Sequence, residues 1–71
     1  MLAQQLGNEI KARRKSLGIT QPHLAELAGI STNSLWALER GKGNPSLELL
    51  EKILGVLGME LKLEVKTPTN N

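Results

Sequence analysis

The sequence predicts an all-α domain of four short helices followed by a single β-strand. Three observations predict it. Apolar residues recur at helical spacing through most of the chain. The periodic stretches are bracketed by N-cap residues at Thr20, Ser31 and Ser46 and by glycines at Gly18, Gly29, Gly41 and Gly58. At Met59 the period drops to two.

The first segment runs from about Leu2 to Leu17, with Leu6, Ile10 and Leu17 on its inward side and Gly18 as its stop. Arg14 falls between Ile10 and Leu17, on or beside that inward stripe, where an unpaired charge would be costly. The second segment starts at Thr20, tolerates Pro22 in its first turn, and offers Leu24, Ala25, Leu27 and Ala28 as its buried side. The small residues Ala25 and Ala28 let a crossing helix come close. Gly29 ends the segment, where the backbone needs a positive φ.

Ser31 opens the third segment. Its only sizeable aliphatic anchors are Leu35 and Leu38, and Thr32, Asn33 and Ser34 crowd its first turn with small polar groups. Glu39 lies one turn beyond Leu35 and so also borders an inward face. Residues 41–45, Gly-Lys-Gly-Asn-Pro, read as a loop. Ser46 caps the fourth segment, whose stripe is Leu47, Leu50, Ile53, Leu54 and Leu57 with Leu49 and Val56 beside it. Gly58 terminates it. Gly55 within it costs about 1 kcal/mol against alanine, so a close contact is expected there.

From Met59 onward, Met59, Leu61, Leu63 and Val65 alternate with Glu60, Lys62, Glu64 and Lys66, the pattern of a half-buried strand. The sequence holds no second strand candidate. The simplest partner is the same strand of a second copy, antiparallel across a two-fold axis, with glutamates facing lysines and the apolar side on both fourth helices. The alternative is a tail that extends the helix or lies on its own domain. The chain therefore divides into a helical domain over 1–58, a dimerisation strand over 59–66 and a loose tail over 67–71.

Composition narrows the function classes. A chain of 71 residues makes one domain with a small core. It has no cysteine, so neither a disulfide nor a thiolate metal site supports it, and Trp36 is its one aromatic residue. The net charge is only +2, but Lys11, Arg13, Arg14 and Lys15 cluster, as do Arg40 and Lys42, while Glu48, Glu51, Glu60 and Glu64 fall in the last third. Such a distribution suits an anionic partner docking on one side. No transmembrane run or secretory signal is visible, and a cytoplasmic location is expected. His23 reads as a solvated residue. Neither a metal cluster nor a nucleophile–base pair is present, so no catalysis, cofactor or metal is expected.

Two short helices crossed through a glycine turn form the unit that places a helix in the major groove of DNA. Residues 20–46 resemble the helix-turn-helix of the phage-repressor, Cro and Xre-type regulators, which implies a lambda-repressor-like fold. The matching residues are Gln21, Leu24-Ala25, Gly29-Ile30-Ser31, Leu35, Leu38, Glu39, Arg40, Gly41 and Asn44-Pro45-Ser46, with Arg14 and Gly18 before them. In that family the second helix of the motif is the recognition helix. The resemblance thus implies base contacts from Thr32, Asn33, Trp36 and Ala37. It implies phosphate contacts from Gln21, Ser34, Arg40, Lys42, Gly43 and Asn44. Lys11 and Arg13 either add to these at the edge or are simply solvated. First-turn capping is the other reading of Thr32 and Ser34. Trp36 either packs on thymine methyls and sugars or folds over a neighbouring loop or dimer surface.

The family also commonly pairs the residues at Arg14 and Glu39, which implies a structural salt bridge. The layout is most similar to the HipB-like antitoxins, which pair through a C-terminal strand, repress their own operon and hold a HipA-type kinase toxin. The expected function is a sequence-specific double-stranded DNA-binding repressor, a homodimer on a palindrome and an antitoxin of that kind. The reading from a different class is a protein-interaction module that kept the scaffold and lost DNA binding.

Overall fold

The computed structural model describes residues 2–66. Met1 and the tail expected over residues 67–71 lie outside the described residues. Four helices form: α1 (Leu2–Ser16), α2 (Gln21–Ala28), α3 (Thr32–Glu39) and α4 (Leu47–Leu57). Each of the last three starts as its cap residue dictates. Thr20 Oγ1 accepts the His23 N–H, Ser31 Oγ accepts the Ser34 N–H, and Ser46 Oγ accepts the Leu49 N–H.

Helix ends are equally local. Gly29 adopts φ 73°. The next amide, Ile30 N–H, then reaches back to Ala25 O at 2.9 Å while Gly29 N–H bonds Glu26 O. Gly58 repeats this arrangement after α4, with Met59 N–H on Leu54 O at 2.8 Å. In both cases the residue after the glycine is apolar and packs back onto the core. Ile19 joins them from the turn before α2.

Ile10, Leu24, Ala25, Ala28, Leu35, Leu38, Leu50, Ile53, Leu54 and Leu57 form the core. α1 and α2 both pack on α3 and on α4. Three leucines expected inside are instead exposed: Leu17, Leu27 and Leu47, at 45%, 54% and 72%. Leu17 falls one residue past the end of α1, in the turn toward Gly18. Leu27 precedes Ala28 and is rotated about 100° from it around the helix. Leu47 is the first residue of α4 and lines, with Leu2, Leu6, Leu61 and Leu63, an apolar groove whose floor is the core residue Leu50.

The expected close contact at Gly55 is also corrected. A β-carbon there would meet nothing within 4 Å. The close crossing is at Gly7, where α1 passes α3: a β-carbon would collide with the Leu38 carbonyl and lie 2.7 Å from the Glu39 carbonyl.

Residues 59–66 take no part in a helix or strand among the described residues. The reading in which this segment prolongs α4 is corrected, because Gly58 at φ 71° turns the chain out of the helix. The start of the segment lies on its own domain, with Met59 packed against the core and Leu61 half-covered, whereas Leu63 and Val65 are exposed at 102% and 94%.

The two helical glycines respond oppositely to alanine. Gly7→Ala overpacks a backbone crossing that has no side chain to yield, and should destabilise by about 1–3 kcal/mol. Gly55→Ala stiffens an open helix interior and should stabilise by about 0.5–1 kcal/mol. Thermal melts should separate the two, at about 4–8 °C per kcal/mol for a domain this size. A Gly7→Ala protein melting with the wild type would refute the crossing.

Candidate nucleic-acid interface

The site begins with a buried charge. Glu39, in the last turn of α3, is 4% exposed and faces Arg14 of α1, 7% exposed. Arg14 donates from Nε to Glu39 Oε2 at 2.6 Å and from Nη2 to Oε1 at 3.0 Å. Its Nη1 donates to the Ile19 carbonyl at 2.9 Å. Gln21, the first residue of α2, donates its side-chain N–H to Glu39 Oε1 at 2.9 Å. One carboxylate thus ties the end of α1, the start of α2 and the end of α3. No buried side-chain nitrogen or oxygen among the described residues lacks a partner.

Burial is the largest single influence on Glu39 and disfavours its charge. The hydrogen bonds from Arg14 and Gln21, with the charges of Arg14 and Lys11, outweigh it together and hold the carboxyl below its ordinary pKa. The bond to Glu39 raises Arg14 above its own ordinary value, against its desolvation.

Held in this way, α3 turns Thr32, Asn33, Ser34 and Trp36 to solvent, with Ala37 half-buried. Ser34 is engaged in the cap, its hydroxyl oxygen accepting from Ser31 at 2.9 Å. Gln21 directs its side-chain nitrogen inward, to Glu39, and remains half-buried at the head of α2. Trp36 is 46% exposed, and the Arg40 guanidinium sits over its ring, 4.7 Å from the centroid. Ser34, Ala37, Leu38 and Leu49 line the space against the 42–45 loop.

After α3 the loop is drawn against α1. Gly41, at φ 73°, packs so closely that a β-carbon would lie 2.9 Å from Gln4 Cα. Lys42 N–H bonds Ala37 O, and Lys42, Gly43 and Asn44 are exposed. Gln4, Asn8, Lys11, Glu39, Arg40 and Lys42 line a polar cleft between α1 and this loop.

That cleft divides the basic cluster of α1. Arg14 is buried with Glu39, and Lys11 joins Arg40 and Lys42. Arg13, offered as an edge phosphate contact, instead donates Nε to the Leu57 carbonyl at 2.9 Å and caps α4, where a cation suits the helix dipole. The signal for Lys11 was present one turn earlier, in Gly7, the residue that lets α3 come down beside it.

Among the described residues, no three His, Cys, Asp or Glu side chains gather as a metal site. None of their helices is long and apolar enough to cross a membrane.

Comparison with known proteins places these features in a family context. The helix-turn-helix family model matches residues 10–63. The immunity repressor protein of Bacillus phage phi105 is 42% identical over 64 residues, covering 90% of this chain and 44% of the repressor. The HTH-type transcriptional regulator SinR of Bacillus subtilis is 39% identical over 57 residues, covering 79% of this chain and 51% of SinR. The chain thus spans about half, or less, of the length of these two relatives. The crystal structure of the clp gene regulator ClgR from Corynebacterium glutamicum matches with a TM-score of 0.81 at 34% identity, covering 86% of this chain and 78% of that one. The restriction-modification controller protein C.AhdI from Aeromonas hydrophila matches at 0.78 and 29% identity, covering 82% and 88%.

The buried carboxylate sets a pH dependence. Because the folded pKa of Glu39 lies below its unfolded value, its contribution is fully present above the ordinary glutamate value of about 4.3 and is lost as pH falls through the folded pKa. Urea unfolding from pH 7 down to 3 should show this loss. Glu39→Gln should be weaker at pH 7 and lose less on acidification. Arg14→Ala, which strands the carboxylate, should cost about 3–5 kcal/mol at pH 7. An Arg14→Ala protein with wild-type stability would contradict the linkage.

Proposed function

Because this chain belongs to the helix-turn-helix family of the Xre and phage-repressor type, we propose that it is a sequence-specific double-stranded DNA-binding regulator of transcription. It acts as a repressor, as a homodimer on a palindromic operator. One observation carries the reading: a helix with an exposed polar leading end, its orientation held by a buried ion pair and its far end flanked by three cations. A helix of 10–12 Å diameter suits a major groove about 12 Å wide.

The roles follow from position. Asn33 pairs its amide with adenine N6 and N7, and Thr32 meets a thymine methyl or a base-edge acceptor. Trp36 and Ala37 follow one turn later on the same face. Gln21, whose side-chain nitrogen is committed to Glu39, offers a phosphate its backbone amide at the head of α2, and Ser34 offers its remaining hydroxyl hydrogen; Arg40, Lys42 and the amides of Gly43 and Asn44 take phosphates at the far end. Lys11 joins this second group from α1. The phage repressor and SinR, relatives named as a repressor and a transcriptional regulator, support the assignment.

Dimerisation is assigned to residues 59–66. Leu61, Leu63 and Val65 are exposed on a segment of period two, beside the groove that Leu2, Leu6 and Leu47 line. Pairing two such segments antiparallel satisfies their backbone groups and covers this apolar surface. The two recognition helices then lie about 34 Å apart, one helical turn of DNA. The finer assignment, an antitoxin of HipB type that also holds a HipA-like kinase, rests on the short layout and this trailing segment. Co-expression with such a kinase, followed by co-purification, tests it.

Selection from a random duplex pool should return two half-sites at fixed spacing, with affinity falling steeply in salt. Asn33→Ala should relax preference at one base pair by about 1–3 kcal/mol, whereas Lys42→Ala should weaken all duplexes alike. Leu63→Glu should shift sedimentation toward monomer at tens of micromolar, on the order of ordinary dimer affinities. A protein that binds no duplex at low ionic strength would be the interaction module instead.

A further inference from the structure

We propose that Trp36 acts through Arg40: the indole is a platform that pre-orders the Arg40 guanidinium for a backbone phosphate at the C-terminal end of α3. This rests on the DNA-binding reading above and assigns Trp36 to affinity instead of base choice.

The starting observation is an exposed indole. Trp36 lies outside the core and leaves nearly half of its surface to solvent. Its one aromatic partnership among the described residues is with Arg40, one turn further along α3, whose guanidinium carbon lies over the ring 4.7 Å from its centroid. Among the described residues the five guanidinium N–H donors make no hydrogen bond. Arg40 can therefore rest on the indole and still offer donors to an anion, and a guanidinium presents them in the planar pairs that suit a phosphate.

Its neighbours favour an anion too. Lys11 and Lys42 line the same cleft, and the one acid there, Glu39, already receives Arg14 and Gln21. A free arginine surrenders much rotamer freedom when it is fixed on a ligand. The indole removes part of that loss before DNA arrives. Cation–π attraction and the apolar surface covered by the contact both contribute.

The test uses the full chain, a selected duplex and an unrelated one, with affinity measured against KCl concentration. Arg40→Ala should weaken both duplexes by the same factor, about tenfold. It should also lower the salt slope by about 0.9 for each protomer bound. Trp36→Ala should weaken both by about two- to fivefold with the salt slope kept, because Arg40 still meets its phosphate once bound. Trp36→Phe should restore the affinity, and the double variant should be no weaker than Arg40→Ala alone. Trp36 is exposed, so the melting temperatures should match and exclude a folding defect.

Multiplying effects in the double variant, an unchanged affinity in Trp36→Ala, a salt slope in Trp36→Ala that falls as far as in Arg40→Ala, or a change in preference between the two duplexes would overturn the proposal while leaving the DNA-binding reading intact. A wild-type protein that binds neither duplex would overturn both.

Discussion

The buried carboxylate of Glu39 is the constraint on which the rest of this small domain depends. Left alone it would be a charge in a place too dry to hold it. Arg14 and Gln21 both bond it, and Arg14 also bonds the Ile19 carbonyl in the turn that leads to α2. Three helices that share only a modest apolar core are thereby given one relative orientation. Apolar packing tolerates sliding and repacking, whereas a bidentate pair has one register. A ten-residue core gains definition from such a pair that further leucines would not supply.

Much of this is legible in the amino-acid sequence. Arg14 lay between Ile10 and Leu17 and Glu39 one turn beyond Leu35, so two opposite charges bordered inward faces, and family resemblance named them as partners. The caps at Thr20, Ser31 and Ser46 and the turns at Gly29 and Gly58 are local chemistry, and local chemistry is what a sequence states most directly. What was not legible depends on which helix lies over which. Periodicity marks an apolar side but not how far along a helix the neighbour reaches, and so it does not reveal that Leu17, Leu27 and Leu47 face solvent. It likewise does not distinguish a glycine at a crossing, Gly7, from one facing open solvent, Gly55. Ile19 and Ile30 belong to no periodic run, although both pack on the core from turns.

The candidate site divided in the same way. The exposed first turn of α3 follows from helix period and the Ser31 cap. The sorting of α1 cations does not. Arg13, Arg14 and Lys11 are near neighbours in sequence, yet they face the end of α4, the buried carboxylate and the polar cleft respectively. Two of these three charges hold the fold, and only Lys11 remains with Arg40 and Lys42. Counting basic residues therefore overstates the surface available to an anion, because burial and capping consume charge that a net value of +2 does not reveal.

This division of labour places rigidity and freedom at opposite ends of one short helix. The leading end of α3 carries small polar side chains with few internal commitments beyond the cap. The trailing end carries Glu39 and Arg40 in sequence, one buried in an ion pair and the other over an indole. In the DNA-binding role proposed above, anchoring the trailing end is what would make the leading end informative, since a side chain reads a base pair only when its backbone arrives in one position. The same logic bears on a second copy of the chain. In the proposed dimer, two readers set one helical turn apart would discriminate only if each is fixed within its own protomer, and the buried pair at Glu39 supplies that fixity before any pairing through residues 59–66.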